Sequence, residues 1–187
     1  MIGYAFCGSF CTLKDSVAAL ERLANSGYEI QPIMSETVYE TDTRFYIKEE
    51  LRSKVRSITG REIIHSVKDA EPLGPAMPLS ALIIAPCTGN TIAKLATGIT
   101  DSAVTMAAKA HLRRDRPLLI ALASNDAMSQ NLGNIGKMLS RKSVYFVPMR
   151  QDDPTGKPHS LIADFSQLEK SFELMINQKQ QRPLFLS

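Results

Sequence analysis

The run ALIIAPCTGNTIAKLATGITDSAVTMAAK, Ala81–Lys109, decides how the rest of this 187-residue chain is read. Ala81-Leu82-Ile83-Ile84-Ala85 is short and wholly apolar, the pattern of a strand buried on both faces of a parallel sheet. Pro86 stops it, and a small polar loop, Cys87-Thr88-Gly89-Asn90-Thr91, opens directly onto a helical pattern. Such a loop offers hydroxyls, an amide and backbone N–H groups at a helix N-terminus, where an anion or a polar ring can be held. Half of a ligand site is expected here, with the glycine-serine turn Gly8-Ser9 as the other half.

Toward the N-terminus, Met1–Gly8 reads as a buried strand entering that turn. Val17, Leu20, Leu23 and Ala24 recur at helical spacing within Leu13–Asn25, and Gly27 is placed as a C-terminal stop. Glu29–Met34 is a second strand, although Pro32 within it is awkward for a central strand. Ser35–Thr43 is a polar connection, and Thr43 is suited to cap a helix over Arg44–Ile58 that Gly60 ends. Glu62–Val67 reads as a third strand. Asp69–Pro78, with three prolines and one glycine, reads as an irregular loop.

Toward the C-terminus, Pro117–Ala123 is a fifth apolar strand, followed by the turn Ser124-Asn125-Asp126. Met128, Leu132, Ile135 and Leu139 keep helical spacing, weakened by Gly133 and Gly136. Val144–Met149 is the sixth strand, and Leu161–Ile176 the last amphipathic helix; between them Gln151–Pro158 is a loop whose Gln151-Asp152-Asp153-Pro154 and Lys157-Pro158 suit either a lid or a partner surface. Residues from about 177 to 187 are expected to fray. Six strands alternating with helices predict a single α/β domain, residues 1–187: three layers, α/β/α, a doubly wound parallel sheet of Rossmann or flavodoxin-like form. The order 3-2-1-4-5-6 follows from right-handed crossovers, with a five-strand variant as the alternative. In that order the turns near residues 9 and 90 face each other across a crevice, flanked by Ser35 and Asn125.

Composition excludes several classes. At 44% apolar and 22% charged, the chain suits a globular core, and a formal charge of +3 is too mild to argue for nucleic acid. Tryptophan is absent, so no stacking platform for single strands is evident. Cys7, Cys11 and Cys87 are odd in number and read as free thiols in a reducing compartment, small buried hydrophobes rather than ligands. His65, His111 and His159 are scattered, so no metal site is expected. No apolar run reaches transmembrane length and the N-terminus has no basic leader, which makes a cytoplasmic setting the expectation.

Taken alone, Gly8-Ser9-Phe10-Cys11 matches neither a G-x-G-x-x-G nor a Walker loop, and a tight strand-to-helix turn explains it as well as phosphate binding does. Thr88–Thr91 alone is equally a helix cap. Lys94 and Asp101, seven apart and read as sharing a helical face, suit a structural ion pair. Arg113, Arg114 and Arg116 suit either a dicarboxylate or the dipole at a helix C-terminus.

The longer pattern Pro86-x-x-Gly89-Asn90-Thr91-x-x-Lys94-x-x-x-Gly98-x-x-Asp101 strongly resembles the P-x-x-A-N-T-x-x-K-x-x-x-G-x-x-D signature of the flavin-containing cysteine decarboxylase family. Its members include phosphopantothenoylcysteine decarboxylases and lantibiotic-processing decarboxylases. A second signature of that family, P-x-M-N-x-x-M-W, is matched at Asn125 and Met128, but not at Ser124 or Ser129. Within the superfamily, the stretches GSFCT, DAEPLGP, IAPCTGNT, TDSAVTMAAKAHLR, SNDAM and YFVPMRQDDP are similar to a group acting in endospore-forming bacteria. The resemblance implies a part in oxidising a dihydrodipicolinate, beside a separate A subunit that uses the nicotinamide cofactor, NADP. It also implies a trimer or a multiple of trimers.

Carried over position by position, the resemblance puts Gly8, Ser9, Ser35, Pro86, Thr88, Gly89, Asn90, Thr91 and Ser124 around flavin mononucleotide (FMN). Ser9 and Ser35 would meet its phosphate, Thr88 and Asn90 its ring system. Asn125 and Met128 would lie on the side of a small dicarboxylate substrate. The decarboxylases use a histidine shortly before the first signature, for which His65 is the candidate here. They also carry a cysteine on a C-terminal flap, and this chain has none after Cys87. Two other readings therefore stay open: a non-catalytic, partner-binding subunit with a degenerate flavin pocket, and a stand-alone FMN-dependent decarboxylase.

Overall fold

Five parallel strands form the centre of the computed structural model, which describes residues 1–187. They are β1 (Ile2–Phe6), β2 (Ile30–Met34), β3 (Leu82–Cys87), β4 (Leu118–Ser124) and β5 (Val144–Phe146). Their order is β2-β1-β3-β4-β5, the doubly wound arrangement expected. Past the end of β5, Ala123 and Ser124 of β4 pair with an antiparallel strand, β7 (Leu161–Ala163), which pairs in turn with β6 (Met149–Arg150).

Strand side chains alternate between two faces, and each face has its own helical cover. Ala5, Ile33, Leu82, Ile84, Leu118, Ile120 and Leu122 share one core with Ile92, Leu95, Ala107, Ile135 and Met138. Those come from α5 (Gly89–Thr97), α6 (Ala103–Leu112) and α7 (Leu132–Leu139). Tyr4, Phe6, Ile30, Met34, Ile83 and Leu119 share the other with Leu20, Val55 and Phe172. These belong to α1 (Leu13–Asn25), α3 (Lys48–Thr59) and α8 (Leu168–Ile176). Two short helices, α2 (Glu36–Glu40) and α4 (Val67–Ala70), follow β2 and precede β3.

The structure corrects several expectations. Glu62–Val67 is not a strand: only Ile64 pairs with β2, its N–H donating to the Pro32 carbonyl while Met34 donates back. Pro32 explains this. Its carbonyl faces that side, so the N–H it lacks would have pointed there too, and the ladder cannot extend. Ser66 then caps α4 by accepting from Asp69 N at 3.0 Å, so the loop expected at Asp69–Pro78 begins as helix and runs on through a 3-10 turn at Glu71–Leu73.

Thr43 does not cap a helix. Its hydroxyl accepts from Phe45 N and Tyr46 N in a local turn, and α3 begins at Lys48. Pro86 lies inside β3, at a register shift, rather than ending it. Leu161–Ile176 divides into β7, a 3-10 turn and α8, because the Asp164 carboxylate accepts from Ser166 N and starts a new element. The C-terminal segment packs instead of fraying. The Gln180 side chain accepts from Phe146 N and donates to its carbonyl, and Met149 exchanges backbone bonds with Leu184 and Leu186.

At the register shift in β3, the Ala85 carbonyl accepts from the buried Ser16 hydroxyl at 2.5 Å. Tyr4 Oη donates to the Ser16 carbonyl at 2.8 Å, closing a buried polar link from α1 to the sheet. Ser16→Ala would leave the Ala85 carbonyl without its partner, and a loss of about 1–3 kcal/mol is expected in urea unfolding.

His111 is buried on α6, with Nε2 at 2.9 Å from the Pro117 carbonyl and Nδ1 without a partner. A carbonyl only accepts, so Nε2 carries the proton and Nδ1 is left as a bare acceptor. Burial lowers its pKa from 6.5 to about 4. The unfolded chain therefore takes up this proton before the folded chain does. The contribution is intact above pH 6.5 and drains away as pH falls toward 4. A urea midpoint followed across that window should fall, and fall less in His111→Gln.

Candidate functional site

Four strand ends meet at the carboxyl edge of the sheet, where open α/β folds bind ligands. β1 runs into Cys7-Gly8-Ser9 and a 3-10 turn, Phe10–Thr12. β3 runs into Thr88, whose hydroxyl accepts from Thr91 N at 3.1 Å and caps α5. β4 ends in Ser124-Asn125-Asp126, and β2 in Ser35, which caps α2 by accepting from Val38 N. The Cys7 N–H donates to the Pro86 carbonyl at 3.2 Å, drawing the first two ends together.

Between them lies a cleft of two lobes. The first, about 510 Å³, has Gly8, Ser9, Thr88, Gly89 and Asn90 on its floor, with Ser124, Asn125 and Asp126 beside them. Its remaining walls are Phe10 and Cys11, Arg44 and Phe45, and Asp152, Lys157 and Ser160 with Leu161 and Ile162 of β7. The second lobe, about 470 Å³, is lined by Cys7, Ser35, Thr37, Thr91, Lys94, Asp101 and Ser102. Gly8, Thr88 and Asn90 border both.

Of the expected cofactor residues, Gly8, Ser9, Thr88, Gly89, Asn90 and Ser124 therefore come together in one lobe. Ser35 and Thr91 lie in the other, across the border that Gly8, Thr88 and Asn90 form between the lobes. Pro86 is buried inside β3. Asn125 is exposed to the first lobe, whereas Met128 packs on the core and its N–H donates to the His159 carbonyl. His65 lines neither lobe. Its ring stacks on Tyr39 at 3.7 Å between centroids, and Arg52 covers the same ring at 3.6 Å, so Tyr39 is sandwiched.

Lys94 Nζ bridges both Asp101 oxygens at 2.8 and 2.9 Å, linking α5 to the turn before α6 rather than lying along one helix. The ammonium holds the Asp101 carboxyl below its usual range. Burial pushes the Cys7 thiol up to about 11 and Cys87 well above its ordinary value, as suits small apolar fillers. Cys11, expected to be buried, is exposed in the first lobe.

Arg44, Phe45 and Asp126 are not singled out by the sequence as site residues, and Asp152 and Lys157 only as part of a loop suited to a lid or a partner surface. They sit on loops, and no periodicity marks which loop side chain turns inward. Asp126 accepts from the Ser124 hydroxyl and from Asn131 Nδ2 at 3.0 Å, and these bonds hold its carboxyl below the usual range. Asp152 is held down by Lys157 at 2.8 Å and the Ser160 hydroxyl at 2.5 Å.

Gly89 carries the tightest constraint. A Cβ there would lie 2.5 Å from Asp126 Oδ1 and Ser124 Oγ and 2.7 Å from Asn131 Nδ2. Where the decarboxylase signature has alanine, this chain has three polar atoms. Gly89→Ala should break the Ser124–Asp126–Asn131 set and cost about 1–3 kcal/mol, read as a lowered melting temperature.

Proteins of known name are similar to this chain in sequence and fold. The B subunit of dipicolinate synthase from Bacillus subtilis (strain 168) is 40% identical over 185 residues, covering 99% of this chain and 92% of that protein. The crystal structure of the corresponding B subunit from Bacillus halodurans C superposes with a TM-score of 0.91 at 38% identity, covering 100% and 95% of the two chains. An FMN-dependent cysteine decarboxylase, SpaF, shares the fold with a TM-score of 0.69 at 19% identity over 95% of each chain. Residues 1–165 match the Flavoprotein family model, and the chain belongs to that family.

Proposed function

We propose that this chain is the B-type subunit of a dipicolinate synthase, binding FMN in the first lobe. In this reading it acts in the cytoplasm of sporulating cells, as a homo-oligomer beside an NADP-using A subunit. The observation that carries the reading is the convergence of Gly8-Ser9, Thr88-Gly89-Asn90 and Ser124-Asn125 on one cavity, in a chain 40% identical to a dipicolinate synthase B subunit. The volume falls within the range of about 300–1,000 Å³ usual for small-molecule sites.

The donor set suits a flavin nucleotide. Gly89 and Asn90 are the first two residues of α5, and neither N–H has a partner within the helix. With the Ser9 hydroxyl they would take phosphate or ring oxygens. The Asn90 side chain is exposed between the lobes, free to meet the polar edge of a ring, and Phe10 and Ile162 offer apolar surface. Oxidation of a dihydropyridine dicarboxylate to the aromatic ring removes two hydrogens, as a hydride and a proton. A bound flavin supplies a two-electron acceptor for that change. The protein's own share is to orient the substrate against Asn125 and to limit water around it.

A second reading, a non-catalytic subunit with a degenerate pocket, is favoured by one observation: the His65 ring is taken up by Tyr39 and lines neither lobe. The absorption spectrum of the purified chain separates the two. FMN binding predicts the visible flavin bands and release of FMN on heating. A colourless protein that no added FMN stains, yet that stimulates the A subunit, is the accessory outcome. In the flavin-binding case, Asn90→Ala should lose flavin while keeping the wild-type melting temperature. Flavin retained unchanged in that variant would remove Asn90 from the ring site.

A further inference from the structure

Four charged side chains line the first lobe, and three are engaged within the protein. Asp126 holds Ser124 and Asn131, and Asp152 and Lys157 pair with each other. Arg44 forms no salt bridge. Its guanidinium stands 4.8 Å over the Phe45 ring, and both residues face the cavity. The turn that carries them is already ordered. Thr43 Oγ1 accepts from Phe45 N and Tyr46 N at 3.2 and 3.1 Å, Thr43 N donates to the Tyr46 carbonyl at 2.9 Å, and Asp42 accepts from Lys48 N at 2.8 Å.

The arginines that the sequence offered for a dicarboxylate lie elsewhere. Arg116 donates to the Leu79 carbonyl at 2.6 Å, and Arg113 packs against Gly74. We propose that Arg44 is the carboxylate-binding residue of this cleft, gripping one carboxylate of a planar aromatic or dihydroaromatic dicarboxylate with two parallel N–H donors. A guanidinium matches a carboxylate in plane and spacing, and with the backbone of its turn already ordered only the exposed Arg44 side chain has to be fixed on binding. The phosphate of a nucleotide would find its donors instead at the start of α5 and at Ser9. The identity of the dicarboxylate rests on the dipicolinate synthase reading; the role of Arg44 does not require flavin.

The test is calorimetric titration of the full chain with pyridine-2,6-dicarboxylate and with its neutral dicarboxamide, each with and without added FMN. FMN and riboflavin binding are followed separately by fluorescence. Wild type should bind the dicarboxylate and not the dicarboxamide. Arg44→Gln should weaken the dicarboxylate about 10- to 100-fold, as loss of charged hydrogen bonds does. Arg44→Lys should recover only part, and FMN affinity should hold in both variants. Wild type that binds no dicarboxylate, or Arg44→Gln that binds it as wild type does, overturns the proposal. So does a variant that loses FMN and keeps riboflavin, which would assign Arg44 to the phosphate. Failure of wild type to bind FMN sinks the flavin reading alone.

Discussion

A single backbone bond, Cys7 N–H to the Pro86 carbonyl, sets where the cleft can form. Register between β1 and β3 is regular up to Ala5 and Ile84, and β3 then slips against β4 before Cys87. The slip leaves two successive carbonyls that need donors. Ala85 finds the Ser16 hydroxyl and Pro86 finds Cys7 N–H. With both satisfied, the two strands end level, Gly8 faces Thr88, and α5 starts with its free N–H groups on the open side. A slip of one residue within the regular part of β3 would instead have turned its side chains to the opposite faces of the sheet.

The cleft is polar at its floor and charged at its rim, and the two parts come from different sources. The floor is made of strand ends, fixed by the sheet. The rim is made of loops that carry Arg44 and Lys157, fixed by their own side-chain bonds at Thr43, Asp42, Asp152 and Ser160. A common floor under variable rims lets one family serve different substrates. The glycine at position 89 shows the same division inside the floor, where Asp126 and Ser124 occupy the space of a side chain.

Much of this was legible in the sequence, and the misses have physical causes. Apolar runs such as Leu82–Ala85 and Leu118–Ala123 announce buried strands, because only a sheet covered on both faces makes such residues cheap to hold. The facing turns near residues 9 and 90 followed from strand order alone. Glu62–Val67 misled because β-branched content signals a strand without showing whether its neighbour can donate, and Pro32 cannot. Leu161–Ala163 was lost in a helical pattern because the break at Asp164-Phe165-Ser166 is a side-chain cap, not a glycine or proline. His65 is the sequence's candidate for the family histidine, but its stack on Tyr39 is a contact between distant segments that spacing does not encode.

The two borders of the sheet are closed by different means. Beyond β2, one bridge at Ile64 is followed by a residue that cannot donate, and the Gln31 side chain donates to the Glu62 carbonyl there at 2.8 Å. At the far side, residues 184–186 lie along Met149 and use its free groups. Neither border offers a stranger an empty ladder, which guards the chain against edge-to-edge aggregation. The large apolar side chains left about half exposed, Ile99, Leu132 and Ile176, stand instead on helices and loops.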